Sequence, residues 1–249
     1  MYRDIVKTII NAREKNTSGE LGCLNFDSLT IENAYEFQKE IIKLLGLDVV
    51  GWKLGGTNAK TRNTFNVKEL YWGPIFKGDM LYDSHKLKLK RGEVEVALKL
   101  NSKIVDLTHK IYPNDLSLYI DSVALSVEFP WSVFNSFGTA GVRALVADCC
   151  ASGQCILGDE IPFGEFTGAS QITISIDGKK SESCSTSILI DGLYNTVCDF
   201  INMSLNKGFE LKTGQWVFTG GLSTCKIYES GNTVEVYSDS LPDITFRVK

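Results

Sequence analysis

The sequence predicts an α+β protein: mainly helical over its first 50 residues, then mostly antiparallel β from about residue 87, with two further helices among the strands. Two observations lead there. Apolar residues recur at helical spacing twice before residue 46 and again over residues 139–152 and 187–206. Elsewhere after residue 87, short alternating or apolar runs follow one another between turn residues, as strands do.

Residues 1–15 place Ile5, Val6, Ile9 and Ile10 on one stripe. Thr30 can cap a second helix with Ala34, Phe37, Ile41 and Leu44 inward, and Gly46 can end it. A short strand over residues 49–54 runs into Gly55-Gly56. Lys53 interrupts its apolar run; a half-buried lysine needs a partner or a task, unless it snorkels to the surface. Residues 57–86 have no clean period and hold aromatic and glycine punctuation, which suits a mobile loop over a site or an ordinary long connection.

In the strand that contains Arg91-Gly92-Glu93-Val94-Glu95-Val96-Ala97, the valines take one face and Glu93, Glu95 and Ala97 the other. Two carboxylates roughly 7 Å apart on one strand face repel each other, and a hard divalent cation between them would relieve this. Taken alone, Glu-x-Glu is more often a solvated strand face. In a second strand, small residues Ser122, Ala124 and Ser126 lead up to Glu128, a pattern that suits a cavity lining or, equally, a surface acid at a strand end.

Residues 139–152 read as a helix with Asp148 near its C-terminus, the unfavourable end for an anion, which points to a specific partner. Residues 172–176 and the segment beyond Asp177-Gly178 read as a hairpin. After the helix over 187–206, a buried strand around Trp216 runs into Gly220-Gly221, where backbone can approach a ligand closely. Two strands complete the chain.

Of the 249 residues 43% are hydrophobic and 22% charged, ordinary for a globular protein. The formal net charge of -4 argues against a nucleic-acid surface. No stretch approaches a membrane span, and the N-terminus reads as an amphipathic helix, not a signal peptide. Seven cysteines without framework spacing suit a reducing, cytoplasmic setting, and Cys149, Cys150 and Cys155 read as buried small hydrophobes, not zinc ligands. Phosphate-loop, dinucleotide, nucleophile-elbow and His-Glu-x-x-His motifs are absent.

The order of these features resembles the 2-keto-4-pentenoate hydratase and 4-oxalocrotonate decarboxylase group of the fumarylacetoacetate hydrolase superfamily. Gly51-Trp52-Lys53-Leu54-Gly55 is similar to its Gly-x-Lys-x-Gly. Arg91-Gly92-Glu93-Val94-Glu95-Val96-Ala97 is similar to its Arg-x-Glu-x-Glu-x-Ala, the most specific piece. Gly73-Pro74-Ile75-Phe76 with Asp79-Met80, Leu125-Ser126-Val127-Glu128, Ala147-Asp148 with Ser152-Gly153, and Thr219-Gly220-Gly221-Leu222-Ser223 resemble its remaining segments. The resemblance implies a fumarylacetoacetate hydrolase-like β-roll. The run of elements along the chain divides it into a helical or mixed cap with a lid loop (1–80) and a β-rich catalytic core (81–249), within one compact unit.

The resemblance also implies Mg²⁺ or Mn²⁺ held by Glu93, Glu95 and Glu128, and a homo-oligomer that turns over a small 2-oxo acid through a metal-stabilised enolate. By the same resemblance Lys53, Asp79 and Ser152 are the catalytic candidates, and Asp148, Thr219, Gly220, Gly221 and Ser223 the substrate-binding ones. Water addition stands ahead of decarboxylation. The alternatives are an acylpyruvate-type carbon–carbon hydrolase, for which His85 and His109 are the only histidine bases, and a non-catalytic ligand-binding or assembly relative. The chain departs from the family at Phe129-Pro130-Trp131-Ser132, where an arginine is expected, and at Cys149, where an asparagine is expected.

Overall fold

The computed structural model describes residues 2–15, 17, 26, 28–135 and 137–249. Helix α1 (Tyr2–Lys15) buries Ile5, Val6 and Ile9 as the stripe predicts. Helix α2 (Ile31–Leu45) begins on the expected cap: Asn33 N donates to Thr30 Oγ1 at 3.2 Å, and Thr30 N donates to Asn33 Oδ1 at 3.2 Å. It ends at Gly46, whose φ of 61° is the left-handed geometry of a helix C-terminus.

The aperiodic stretch 57–86 is built, not loose. It follows strand β1 (Val49–Gly55) and holds helix α3 (Ala59–Phe65) and strands β2 (Tyr71–Phe76) and β3 (Met80–Leu81). Elements of seven, six and two residues are too short to show a period, which is why the sequence reads them as a loop.

Strands β4 (Arg91–Leu100) and β5 (Ile120–Phe129) come next, then helix α4 (Phe137–Ala147) and strand β6 (Gln154–Pro162). The predicted hairpin is β7 (Gln171–Ile176) and β8 (Lys179–Ser185), turned by Asp177 and Gly178 at φ 51° and 73°. Helix α5 (Leu193–Asn206) starts six residues later than the apolar pattern suggests: Gly192, at φ 75°, interrupts the chain, and Leu189 packs from an extended segment before it. Strands β9 (Trp216–Phe218), β10 (Lys226–Ile227), β11 (Thr233–Ser238) and β12 (Ile244–Arg247) finish the chain.

Two sheets result. The larger is curled and runs β2-β1-β9-β4-β5-β6-β3, with β10 added to β4. Only β1–β9 and β3–β6 pair in parallel. The smaller runs β12-β11-β7-β8, all antiparallel. Strands β1 to β3 thus lie in the same sheet as β4 to β6, and a boundary at residue 80 passes through that sheet.

Strand β1 has two unlike faces. Trp52 and Leu54 point to the helices, where Trp52, Trp72 of β2, Phe200 of α5 and Phe209 form an aromatic cluster with Tyr35 of α2. The Tyr35 and Trp72 ring centroids are 4.4 Å apart. Lys53 and Gly55 point to the opposite face, with Tyr71 directly across from Gly55 and Gly73 across from Lys53. No helix among the described residues is long and apolar enough to cross a membrane.

Candidate active site

The register between β4 and β5 builds the centre of the site. Val94, Val96 and Leu98 face Val127, Leu125 and Val123 across the ladder, and all six are fully buried. The alternate face pairs Glu93 with Glu128, Glu95 with Ser126 and Ala97 with Ala124. The small residues leave a hollow over the acids. One carboxylate oxygen from each of Glu93, Glu95 and Glu128 lies within 4.8 Å of the other two.

The three acids are poorly satisfied. Gly220 N donates to Glu95 Oε2 at 3.0 Å, and Lys53 Nζ donates to Glu128 Oε1 at 2.7 Å. Glu95 Oε1 and Glu128 Oε2 are buried with no hydrogen-bond partner among the described residues. Burial, with repulsion from Glu128, pushes Glu93 up to about 7. Burial and both neighbouring acids push Glu95 well above the usual carboxylate range. Burial works against the Lys53 ammonium, but the adjacent Glu128 charge and hydrogen bond outweigh it, so Lys53 stays protonated.

These residues fit a divalent ion. The donor set is hard carboxylate oxygen, two buried oxygens lack partners, and a Cβ on Gly221 would collide with the Glu93 carboxylate. No histidine or cysteine joins a cluster of three potential ligands among the described residues. Cys149, Cys150 and Cys155 are buried, and burial pushes the Cys149 thiol up to about 12.

A cavity of about 290 Å³ opens from Lys53 and Glu93 toward solvent. Helix α3 forms one wall, and Tyr71, Leu145 and Cys150 line others. Lys60 and Arg91 are exposed at its mouth. Asn58 accepts from Thr61 N at 2.9 Å, capping α3, and donates to Gly221 O at 2.9 Å. Gly221 and Ser223 line the cavity, and Ser223 Oγ also accepts from Val94 N at 2.9 Å. Thr219 is fully buried, its hydroxyl donating to Val96 O at 3.0 Å. Neither His85 nor His109 lines the cavity.

Lys53, Gly220, Gly221, Ser223 and the three glutamates come together. Asp79 and Ser152 do not join them. Both line a second cavity of about 500 Å³, beside Arg13 and Trp131. Burial raises the Asp79 carboxyl, and the Ser152 hydroxyl is buried without a partner. Asp148 lines neither cavity. It is fully buried, and its oxygens accept from Arg13 Nε at 2.8 Å, Ser132 Oγ at 2.6 Å and Val133 N at 3.0 Å. The partner that its place at a helix C-terminus calls for is therefore Arg13, from α1.

A left-handed turn separates the two cavities. Cys149, Cys150 and Ala151 have φ of 53°, 54° and 55°, three consecutive non-glycine residues in a region that costs about 1–2 kcal/mol each. Cys150 and Ala151 face the carboxylate cavity and Ser152 the other. The turn's Cys149 carbonyl presses where a Cβ on Gly73 would lie, which explains the glycine opposite Lys53. The sequence signals neither this turn, which has no glycine, nor Arg13 and Asn58 as site residues. Tyr71 becomes legible once β1 and β2 are recognised as an antiparallel pair.

No family model matches the sequence, and no curated protein matches it. Solved structures do match. 4-Oxalocrotonate decarboxylase from Pseudomonas putida G7, complexed with magnesium and adipate, superposes with a TM-score of 0.85 at 20% identity, covering 100% of this chain and 97% of that one. Fumarylpyruvate hydrolase from Pseudomonas aeruginosa, in complex with Mn²⁺ and pyruvate, gives 0.58 at 14% identity over 79% of this chain and 88% of that one. 5-Carboxymethyl-2-hydroxymuconate delta-isomerase from Mycobacterium smegmatis gives 0.56 at 13% over 81% and 78%. The likeness establishes the fold, which agrees with the fumarylacetoacetate hydrolase resemblance of the sequence in a divergent form. A decarboxylase, a hydrolase and an isomerase share that fold, so the fold does not choose the reaction.

Proposed function

We propose that this chain is a divalent-metal-dependent enzyme that acts on a small 2-oxo acid through an enolate, with Mg²⁺ or Mn²⁺ held by Glu93, Glu95 and Glu128. The observation that carries this reading is the pair of buried, unpartnered oxygens on Glu95 and Glu128 beside Glu93. Buried carboxylates left this incomplete are costly unless a cation completes them. Solved proteins of the same fold hold magnesium with adipate and Mn²⁺ with pyruvate, which supports a small carboxylic acid as the ligand class. When bound, such an ion supplies Lewis-acid stabilisation of negative charge developing on the substrate oxygen.

The remaining contributions come from the chain. The Lys53 ammonium, 8% exposed and fixed on Glu128, adds positive charge beside the developing oxyanion. Leu145, Phe65 and Tyr71 limit water around the reacting carbons. Lys60 and Arg91 give the mouth a positive rim that favours a second carboxylate on the substrate.

The lining also bears on the reaction. Among the described residues the lining offers no histidine and no carboxylate besides Glu93, which belongs to the carboxylate cluster, so none of them is left over as a base to activate water. Decarboxylation needs an electron sink and a later proton but no activated water. We therefore place it ahead of water addition, the order opposite to that of the sequence reading. Carbon–carbon hydrolysis is third for the same reason.

The test is a screen of chelator-treated protein, with and without Mg²⁺, across unsaturated 2-oxo mono- and dicarboxylates. Ultraviolet loss of the dienol chromophore and CO₂ release are recorded together. Mg²⁺-dependent CO₂ release is expected, strongest for a dicarboxylate. Chromophore loss without CO₂ would restore water addition. The absence of both, with no Mg²⁺ binding by calorimetry, would overturn the reading.

A further inference from the structure

We propose that Tyr71 is the proton donor of this site, delivering its phenolic proton to the carbon of the substrate's enolate. The proposal rests on the enolate reading above and goes beyond it by naming a catalytic residue.

Few groups on the lining can part with a proton. Glu93 belongs to the carboxylate cluster. Lys53 is held on Glu128 at 2.7 Å. The Cys150 thiol donates to Trp72 O at 2.8 Å. Lys60 and Arg91 stand exposed at the mouth. The aliphatic hydroxyls of Thr57, Thr61, Thr64 and Ser223 also line the cavity but are far weaker acids than a phenol or a thiol, which leaves Tyr71 and Cys225.

The backbone favours Tyr71. It lies across from Gly55, two positions along β1 from Lys53, so Tyr71 and Lys53 form a diagonal pair on one face of the sheet. Diagonal neighbours have backbones roughly 7–8 Å apart, near enough for both side chains to reach one small ligand in the cavity that both line. Gly55 makes room for the phenol: a Cβ there would lie 2.8 Å from the Tyr71 hydroxyl and collide with the ring. Phe65 of α3 holds the ring edge-on, with centroids 5.8 Å apart. Tyr71 is 5% exposed, and its hydroxyl makes no hydrogen bond among the described residues. That hydroxyl is not among the fully buried unpartnered oxygens; it opens onto the cavity, where water or a ligand can bond it. Burial also keeps the phenol protonated, as a donor must be.

The step balances. When CO₂ leaves, the electron pair of the broken carbon–carbon bond enters the conjugated 2-oxo system as an enolate. The Tyr71 O–H bond then breaks heterolytically, its proton forms the new C–H bond, and the phenolate regains a proton from water through the cavity mouth. The same donor would serve any enolate reaction at this site.

The test supplies the enol directly. 2-Hydroxypenta-2,4-dienoate is generated in D₂O with Mg²⁺ and the full-length protein, and its ketonisation is followed by ultraviolet absorbance and by NMR. The wild type is expected to accelerate ketonisation and to place deuterium on one face of the carbon. Tyr71→Phe keeps the ring and removes a hydroxyl that supports no other contact. It should slow the catalysed reaction by about 10²-fold or more, the size of a general-acid contribution. Deuterium should then enter both faces, with Mg²⁺ affinity within twofold. Cys225→Ala should behave as wild type. One-sided deuteration at the wild-type rate by Tyr71→Phe would overturn the assignment of Tyr71 and leave the enolate reading standing. Failure of the wild type to accelerate ketonisation would overturn both.

Discussion

Two buried cation–carboxylate pairs, one on each side of the left-handed turn at residues 149–151, are built to opposite ends. In the Arg13–Asp148 pair everything is answered. Arg13 gives Nε to Asp148 Oδ1 and its two terminal nitrogens to the carbonyl oxygens of Asp148 and Ser152, and lies 5.6 Å from the Trp131 ring centroid. The other Asp148 oxygen has two donors of its own. In the Lys53–Glu128 pair one carboxylate oxygen is satisfied, the other is orphaned, and a second buried acid with its own orphaned oxygen stands beside it. A completed buried pair fixes a fold; an uncompleted one leaves electrostatic demand for something that arrives later.

The contrast can be broken first on its structural side, where the largest effect is expected. Asp148→Ala would leave Arg13 buried without its counter-charge, a loss of about 3–5 kcal/mol. For a chain of this size that lowers Tm by about 6–20 °C. Calorimetric melting measures it, and Mg²⁺ affinity of the folded fraction should stay within a few-fold. A melting temperature within 2 °C of wild type would show that the two pairs do not differ in kind.

On the other side, Lys53→Met should lower kcat by about 10²–10³, the size seen when one oxyanion donor is lost. Mg²⁺ affinity should not fall, because a competing cation has been removed from Glu128. Steady-state kinetics on a substrate from the screen, with Mg²⁺ titration calorimetry, separates the two quantities. Full turnover would make Lys53 as structural as Arg13.

A third test uses pH. In the folded, metal-free protein burial and carboxylate repulsion push Glu93 up to about 7 and raise Glu95 well above the usual carboxylate range, against about 4.3 for an unfolded glutamate. The folded state therefore holds more protons than the unfolded one across this window. Its stability is fully present below about pH 4.5 and declines as pH rises through 7. With chelator present, Tm should fall between pH 5 and pH 8. Saturating Mg²⁺ should reverse the trend, since it binds the deprotonated acids. A metal-free Tm that rises over this interval would contradict the raised carboxylates.

The smallest effect concerns the turn between the pairs. Ala144→Gly in α4 should cost about 2 kcal/mol from lost methyl burial and helix propensity. Ala151→Gly loses a similar methyl but escapes left-handed strain, and should lie within about 1 kcal/mol of no change. Parallel denaturant melts of the two variants make the comparison, and equal losses would remove the strain argument.

The faces of β4 and β5 were legible because strict alternation places Glu93, Glu95 and Glu128 opposite the valines whatever the register. The caps at Thr30 and Gly46 were legible because each rests on local chemistry. What escaped depends on distant or very short pieces. Arg13 reaches Asp148 across 135 positions, and only the second of them carries a local signal. Three residues at positive φ, spelled Cys-Cys-Ala, carry none. Asp79 and Ser152 were drawn to the site by resemblance alone, without a register to place them, and they stand on the far side of that turn.

Asn58 has a consequence for traffic into the cavity. One side chain caps α3 and also grips the carbonyl of Gly221, the residue whose missing side chain leaves room for Glu93. The helix and the glycine loop are thereby tied to each other and, through Gly221, to the acids behind them. The mouth of the cavity carries Lys60 and Arg91, a charged doorway whose pull on an anionic substrate ionic strength can tune.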